Sequence, residues 1–350
     1  MIISRTPFRI SFFGGGTDYP AWYRQHGGAT LSTSISKYCY ISCRWLPPFF
    51  DYNSRISWSK IELIKDPSEI QHPVVRAAMQ FLDIQQGIDL HHQGDLPART
   101  GLGSSSAFTV GLLHALNGLK GVMTGKMQLA RDAITIEQTL LKEHVGCQDQ
   151  VSTALGGFNR IDFSREGDIQ VSPILMGRER LSLLQDHLLL VYTGISRTAS
   201  EIAEEQIRAM ARKEQELKRM LEMVDEGMRI LQGGGELTVF GQLLHESWLL
   251  KRSLTDKIST PLVDQIYEGA KSAGAVGGKL LGAGGGGFLL LFVRPEERPK
   301  VLEALSGLLH VPFRFETSGS SIIFYDPDGL PQIMEPSKQG LLKGRKTTHG

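Results

Sequence analysis

The chain has 350 residues, with 38 Lys plus Arg against 37 Asp plus Glu, so its net charge is +1 at pH 7. A charge this close to zero leaves no basic surplus for a nucleic acid or an anionic membrane, and we expect neither as a partner. No apolar run approaches about 18 residues, the first residues are not typical of a signal peptide, and the three cysteines suit a reducing compartment. We therefore expect a cytoplasmic protein.

Hydrophobic periodicity predicts the secondary structure in chain order. Alternating residues predict a strand over residues 38–45, with residues 56–64 as its pairing partner across Pro47 and Pro48. Apolar residues at helical spacing predict helices over residues 105–119 and 126–144. The later predicted elements are strands over residues 156–163, 187–192 and 288–293 and helices over residues 200–231, 239–254 and 261–273.

The two halves of the chain differ in character. The change falls near residues 175–185, after which long charged helices dominate. We therefore predict a first domain over residues 1–178, a second domain over residues 179–335 and a polar tail over residues 336–350.

Glycine is the one residue type in clear excess. The chain has 39 glycines, whereas an average share near 7% would give roughly 25. The excess is clustered at residues 14–16, at Gly101 and Gly103, at residues 233–235 and between residues 277 and 287. Because glycine lets a backbone turn tightly and approach a ligand, these clusters are the first candidates for a binding site.

The strongest local signal lies at residues 95–106, where two glycines and three serines lead into an apolar helix. The free N–H groups and the positive dipole end of such a helix form an anion site. The chain has no Walker lysine motif, and Ser106 stands where a dinucleotide fingerprint has its third glycine. The segment therefore predicts a phosphate-binding loop of another kind, with an ordinary capped turn as the alternative.

The glycine run at residues 282–287 formally contains a dinucleotide-binding pattern, but a strand follows it instead of a helix. We do not assign it to dinucleotide binding. Six such residues between a packed helix and an apolar strand indicate backbone that lies close to a ligand or to another loop.

Two acidic residues are candidates for chemistry. Glu137 lies on the apolar stripe of its helix and therefore needs a cation, a metal or a hydrogen-bond partner. Asp149 follows that helix in a loop, so one acid could hold Mg²⁺ while the other orients or deprotonates a hydroxyl. A salt bridge at the helix edge and a capping aspartate remain the alternatives.

A third acidic residue ends the N-terminal strand. Residues 5–19 read as a strand that enters a glycine turn and closes with Thr-Asp. Asp18 could accept two sugar hydroxyls, and Arg9 could meet phosphate charge. The alternative is a surface turn with a capping aspartate.

These segments, in this order, resemble the three motifs of the GHMP kinases, the superfamily of galactokinase, homoserine kinase, mevalonate kinase and phosphomevalonate kinase. The matching segments are residues 5–19, Pro97 to Ser106 and Lys279 to Gly287. The Gly-Gly-Gly-Thr-Asp-Tyr-Pro turn, the helix that follows the second motif and the segment Gly-Cys-Gln-Asp-Gln are most similar to the D-glycero-D-manno-heptose 7-phosphate kinases.

The resemblance implies an α+β fold of two domains, the first like ribosomal protein S5 and the second ferredoxin-like, with ATP between them. It implies Asp149 and Arg9 as catalytic residues, and Glu137 with Ser105, or less readily Ser104, as ligands of Mg²⁺. The implied ATP-binding residues are Pro97, Gly101, Leu102, Gly103, Ser104, Ser105 and Ser106. The implied substrate-binding residues are Gly15, Gly16, Thr17, Asp18, Gly284 and Gly285.

The implied reaction is transfer of the ATP γ-phosphate to the anomeric C1 hydroxyl of D-glycero-D-manno-heptose 7-phosphate. The product would be the 1,7-bisphosphate, a precursor of nucleotide-activated heptose and surface glycans such as lipopolysaccharide. A kinase for fucose or a hexose, and a sugar and ATP sensor without catalysis, remain alternatives. The partners are thus a sugar phosphate and ATP, and the oligomeric state stays open, with a homodimer as one option.

Two features depart from the family pattern or are left undecided by it. Arg99 stands where many relatives have glycine, and we expect its side chain to face solvent. The substrate's own 7-phosphate needs cationic partners, and the sequence does not choose among four candidates, which are Lys37, Arg44, Arg197 and Lys251.

Overall fold

The computed structural model describes residues 1–195 and 199–326, which form two β-sheets with helices between and around them. The strands are β1 (Ile2–Phe13), β2 (Gly28–Trp45), β3 (Ser54–Ser57), β4 (Ile61–Ile64), β5 (Ile88–Gly94), β6 (Phe158–Phe163), β7 (Ile169–Pro173), β8 (Leu188–Tyr192), β9 (Ala275–Leu280), β10 (Phe288–Val293), β11 (Leu309–His310), β12 (Phe315–Glu316) and β13 (Ser321–Tyr325). The helices are α1 (Pro20–His26), α2 (Pro73–Phe81), α3 (Ser104–Leu119), α4 (Lys126–Ile134), α5 (Gln148–Leu155), α6 (Arg178–His187), α7 (Ala199–Ala209), α8 (Glu214–Gln232), α9 (Thr238–Arg252), α10 (Pro261–Ser272) and α11 (Arg298–Ala304). Short 3₁₀ turns occur at Pro67–Glu69, Met210–Arg212 and Pro295–Glu297, and a π-helical turn at Thr135–Leu140.

The first sheet is organised around the long strand β2. Strand β1 runs antiparallel along one edge of β2, and β13 pairs with the far side of β1. The other edge of β2 is shared, with β6 beside its first residues and β5 beside its last. Helix α3 packs on β1 and β2, and α4 and α5 pack against α3, so these three helices cover one face of the sheet.

The second sheet is antiparallel, in the order β11-β8-β10-β9. All six residues of β10 are buried, as expected for the apolar strand at residues 288–293. Helix α8 lies on β1 and β2, and α9 contacts both β9 and β1. These two helices therefore fill the space between the sheets, and one apolar core runs from β1 through α8 and α9 to β10.

Most of the predicted elements are confirmed. The helices at 105–119, 239–254 and 261–273 are present, and the buried stripe of α8 includes Leu217, Met220, Val224 and Leu231. Gly233 follows the last residue of α8, as glycine commonly does at a helix end. Helix α10 begins at Pro261, after Thr260 accepts a hydrogen bond from the N–H of Val263 at 3.3 Å.

Three predictions about secondary structure are wrong. Residues 56–64 form a hairpin whose strand β3 pairs with β5, because β1 and β5 already occupy both edges of β2 there. The helix predicted at 126–144 becomes π-helical at Thr135. The helix predicted at 200–231 is two helices, α7 and α8, because Lys213 leaves the helical conformation between them.

The end of the described chain returns to the first sheet. Strand β12 pairs with β2 and β13 with β1, after the chain has completed the second sheet. The predicted boundary between residues 178 and 179 stays a prediction. It falls in the first turn of α6, and the later strands β12 and β13 pair with the first sheet and not with the second. The predicted tail at 336–350 is outside the described residues. Within them, no helix is both long and apolar enough to cross a lipid bilayer.

Helix α9 and strand β9 pack so closely that the main chain of Gly241 in α9 contacts the main chain of Gly277 in β9. A Cβ on Gly277 would lie 2.1 Å from the carbonyl oxygen of Gly241. We predict that Gly277→Ala destabilises the fold by about 1–3 kcal/mol, since helix and strand must separate. Gly269→Ala is the control, because Gly269 is exposed in α10 with open space around it. That change should raise stability by about 0.5–1 kcal/mol. Urea unfolding followed by circular dichroism compares the two, and equal midpoints would contradict this packing.

Candidate active site

A cavity of about 460 Å³ lies where the glycine clusters of the two domains meet. Its walls come from the end of β1 and the turn after it, the N-terminus of α3, the loop at 142–146, the start of α5 and the loop at 281–286. The predicted residues on its walls are Arg9, Gly15, Gly16, Asp18, Gly101, Gly103, Ser104, Ser105, Ser106, Asp149 and Gly284. A second cavity of similar volume, near Leu155, is lined by no charged side chain.

An ion pair stands at the centre of this site. The Arg9 Nε and Nη2 groups donate to the two carboxylate oxygens of Asp149, both at 2.7 Å. Arg9 Nη1 donates to the carbonyl oxygen of Gly101 at 2.7 Å, so the guanidinium also holds the serine-rich loop. The Arg9 side chain is 4% exposed and that of Asp149 is 27% exposed. The structure thus joins the two predicted catalytic residues directly, which the sequence did not indicate.

Asp18 lies beside this pair. Its Oδ1 accepts from the N–H of Gly16 at 3.0 Å and its Oδ2 from the N–H of Gln148 at 3.2 Å. Burial, followed by the nearby charge of Asp149, raises the pKa of Asp18 to about 6. A Cβ on Gly146 would lie 1.9 Å from Asp18 Oδ2, so the carboxylate fits only against a glycine.

The serine-rich loop has the form of an anion site. Gly103 caps α3 in the left-handed conformation, with φ of 71°, and is followed by three serines in the first helical turn. These serines face the cavity with the N-terminus of the helix behind them. Arg99 precedes the turn with φ of 62°, and its side chain is exposed yet lines the rim of the cavity.

The two main glycine loops touch through their backbones. A Cβ on Gly101 would lie 2.4 Å from the carbonyl oxygen of Leu281, and a Cβ on Gly282 would lie 2.4 Å from the Cα of Gly101. The N–H of Phe288 donates to the carbonyl oxygen of Thr100 at 3.1 Å. The run at 282–287 therefore lies against another loop, which is one of the two arrangements expected for it.

Glu137 is completely buried behind the serines. Its Oε2 accepts from Ser106 Oγ at 3.0 Å and from Gln150 Nε2 at 2.5 Å. The π-helical turn brings Glu137 inward together with Gln138, which donates to the carbonyl oxygen of Val145 at 2.9 Å. Burial raises the pKa of Glu137 to about 7.

The residues near Glu137 fit a cation. Its Oε1 is buried and has no hydrogen-bond partner among the described residues, an arrangement that a metal ion or a proton would satisfy. The Ser106 hydroxyl donates to Glu137, whereas Ser105 is exposed at the cavity. The predicted pair of Ser105 and Glu137 remains a prediction, with Ser106 as the hydroxyl already in place.

Other predicted residues support the site from behind. The Thr17 hydroxyl lies 2.8 Å from the Gly14 carbonyl oxygen and 2.9 Å from that of Ala29, so its one proton can bond either and hold the glycine turn closed. The Pro97 carbonyl accepts from Thr100 Oγ1 at 2.8 Å. Three main-chain hydrogen bonds connect further predicted residues. The N–H of Arg9 donates to the Leu102 carbonyl, that of Gly285 to the Ile258 carbonyl and that of Cys147 to the Asp18 carbonyl.

Several polar residues on the cavity wall were missed by sequence reasoning. Ser11 Oγ donates to Gln148 Oε1 at 2.6 Å, and Gln206 Nε2 donates to the carbonyl oxygen of Ala283 at 2.8 Å. Gln148 is adjacent to Asp149 in the sequence and could have been found there. Ser11 and Gln206 lie on a strand and a helix with no local signal, so only the fold brings them to the site.

Comparison with known proteins gives the family. Residues 72–157 match the GHMP kinases N terminal domain and residues 230–310 the GHMP kinases C terminal domain. A D-glycero-alpha-D-manno-heptose 7-phosphate kinase of Campylobacter jejuni is 28% identical over 317 residues, covering 87% of this chain and 93% of its own. A galactokinase of Pyrococcus furiosus is 25% identical, covering 87% and 92%.

Solved structures agree on the fold. The crystal structure of a D-glycero-D-manno-heptose 1-phosphate kinase from Bacteroides thetaiotaomicron superposes with a TM-score of 0.75 at 23% identity, over 91% of this chain and 98% of its own. The chain carries the N-terminal and C-terminal domains of the GHMP kinases, and the two-domain fold expected from the sequence is confirmed. It is an ATP-dependent phosphotransferase with sugar kinases among its relatives.

The burial of Asp18 makes a prediction about stability and pH. Its pKa is about 6 in the folded chain against an ordinary value of 3.8, so the folded state binds the proton more tightly. The cost of burying the charge is therefore absent below about pH 4 and complete above about pH 6, where it amounts to roughly 2–3 kcal/mol.

Asp18→Asn removes that charge. The unfolding free energy of the variant minus that of the wild type should be larger at pH 7.5 than at pH 4, by up to roughly 2–3 kcal/mol. Urea unfolding at both pH values measures the difference, with exposed Asp51→Asn as the control. A difference that does not depend on pH would show that Asp18 is not buried as a carboxylate.

Proposed function

We propose that this chain transfers the ATP γ-phosphate to the anomeric C1 hydroxyl of D-glycero-D-manno-heptose 7-phosphate and gives the 1,7-bisphosphate. The reaction would supply nucleotide-activated heptose for surface glycans, and we expect it to take place in the cytoplasm. The observation that carries the proposal is the Arg9–Asp149 ion pair, which opens into the same cavity as Asp18 and the N-terminus of α3. The substrate itself is suggested by the Campylobacter jejuni relative.

Asp18 and Asp149 have different tasks in this site. Asp18 is held by main-chain N–H groups and accepts hydrogen bonds from sugar hydroxyls. The two bonds from Arg9 fix the plane of the Asp149 carboxylate, so its remaining lone pairs point in set directions. A C1 hydroxyl that donates to Asp149 is thereby oriented for attack on the γ-phosphate.

The cationic groups offset the charge of the transferred phosphate. Arg9 lies next to the attacking hydroxyl, and the N–H groups at the start of α3 bind the ATP phosphates. Mg²⁺, held by Glu137 and a serine hydroxyl, would neutralise charge on those phosphates when bound. Arg9 also connects the two halves of the site, because one guanidinium bonds both Asp149 on the sugar side and the carbonyl of Gly101 in the serine-rich loop.

A substrate panel tests the reaction. We expect ADP release to be fastest with D-glycero-D-manno-heptose 7-phosphate, slower with the free heptose and slower again with fucose or galactose. Phosphorus NMR of the product should show a new phosphate on C1. Galactose is included because a galactokinase is among the relatives. Faster turnover of a free hexose, or a new phosphate elsewhere, would replace this substrate with another sugar.

Variants of Asp149 test the mechanism. Asp149→Ala and Asp149→Asn should lower kcat by about 10²–10⁴, because the attacking hydroxyl loses its ionised acceptor. Affinity for ATP should stay near that of the wild type, since the start of α3 is unchanged. Asp168→Asn, in the exposed turn between β6 and β7, is the control. Full turnover in either Asp149 variant would remove this residue from the mechanism, and a protein that binds ATP and sugar without turnover would be a sensor.

A further inference from the structure

Two lysines on the cavity wall are buried and have no role in the reaction as derived above. Lys251, at the end of α9, is 7% exposed, and Lys279, in β9, is 3% exposed. Lys279 Nζ donates to the Phe12 carbonyl at 2.7 Å, and Lys251 Nζ donates to the carbonyls of Leu280 and Gly282, at 2.8 and 2.5 Å. Within the described residues, neither ammonium group forms an ion pair with a carboxylate.

Burying these ammonium groups is unfavourable. Burial, and then the neighbouring charge of Arg9, lowers the pKa of Lys279 to about 7. Burial and the charges of Lys279 and Arg9 lower the pKa of Lys251 well below its ordinary value. Carbonyl oxygens satisfy some of the N–H donors but supply no full negative charge, so an anion between the lysines would offset the cost.

The geometry favours a phosphate group that is not part of the nucleotide. An ammonium group has three donors, of which Lys279 uses one and Lys251 uses two on main-chain carbonyls. Both lysines line the cavity together with Arg9. The start of α3 already provides a binding site for the nucleotide phosphates. Lys279, by contrast, bonds Phe12, directly before the glycine turn that carries Asp18, so it lies on the sugar side.

We propose that Lys251 and Lys279 bind the phosphate group that the sugar substrate already carries and so select phosphorylated over free sugars. This inference rests on the proposed sugar kinase reaction and deepens it. Of the three described cations among the four left open by the sequence, it selects Lys251, because Arg44 pairs with Asp89 in the first sheet and Lys37 is not on the cavity wall. Arg197 lies outside the described residues.

The test compares sugars in pairs, with and without a terminal phosphate. Heptose 7-phosphate is paired with heptose and mannose 6-phosphate with mannose, and each is assayed with the wild type, Lys251→Met and Lys279→Met. Lys271→Met is the matched control, because Lys271 also donates to a main-chain carbonyl, that of Val276 at 2.8 Å, in the same domain but away from the cavity.

We expect the wild type to prefer the phosphorylated member of each pair in kcat/KM. Each Met variant should reduce that preference about 10- to 100-fold, mainly through KM of the sugar phosphate, because a charged hydrogen bond is lost. Turnover of free sugars and KM for ATP should stay near the wild-type values. The Lys271→Met control should behave as the wild type.

The possible failures are distinguishable. Equal losses on both members of a pair, with a higher KM for ATP, would assign the lysines to the nucleotide and overturn the inference, as would a wild type that prefers free sugars. A different outcome is a wild type that turns over mannose 6-phosphate faster than heptose 7-phosphate, while the Met variants still lose the preference for phosphorylated over free sugars. That result would overturn only the proposed substrate.

A binding measurement covers variants that lose activity through misfolding. With saturating ATP present, so that the start of α3 is already occupied, inorganic phosphate should raise the melting temperature of the wild type and of Lys271→Met, and should compete with sugar phosphate. Lys251→Gln, which keeps a donor for the carbonyls, should melt near the wild-type temperature without this response. A phosphate response that persists in Lys251→Gln and Lys279→Gln would overturn the inference.

Discussion

The main-chain contact between Gly101 and Gly282 is the constraint on which the site depends. Neither position has room for a Cβ, because each would lie 2.4 Å from backbone atoms of the other loop. The two glycine loops therefore meet without side chains between them, directly beside the start of α3. Arg9 bonds the Gly101 carbonyl on one side of the contact, and Lys251 bonds the Gly282 carbonyl on the other. Cations from both domains are thus brought to one cavity.

The cavity holds opposing buried charges at the expense of stability. Burial moves the pKa of Asp18 up to about 6 and that of Lys279 down to about 7. Both changes record unfavourable burial of a charge, which folding alone has no reason to keep. A substrate that offers hydroxyls to Asp18 and phosphate to Lys279 supplies the missing partners. The net charge of +1 conceals this arrangement, since it averages the cavity with the rest of the surface.

Local signals were enough to select residues that the structure brings to one cavity. The turn at 14–18, the capped start of α3 and the acidic residue after the predicted helix each have short-range patterns, and the cavity contains Asp18, Ser105 and Asp149. The pairing of Arg9 with Asp149 spans 140 residues and has no local pattern. The π-helical turn at Thr135–Leu140 was also missed, because one extra residue in a turn hardly alters apolar spacing.

The sequence by itself determined helices α3, α9 and α10, the buried strand β10, the glycine loops and the residue types needed for phosphate chemistry, because these depend on neighbours within one or two turns of chain. Only the tertiary structure decided that β3 pairs with β5, that β12 and β13 return to the first sheet and that Lys251 and Lys279 face the cavity. Such choices depend on which strand edges are already occupied and on which distant carbonyls accept a buried ammonium group. Residues far apart in the sequence settle them together, as the chain packs.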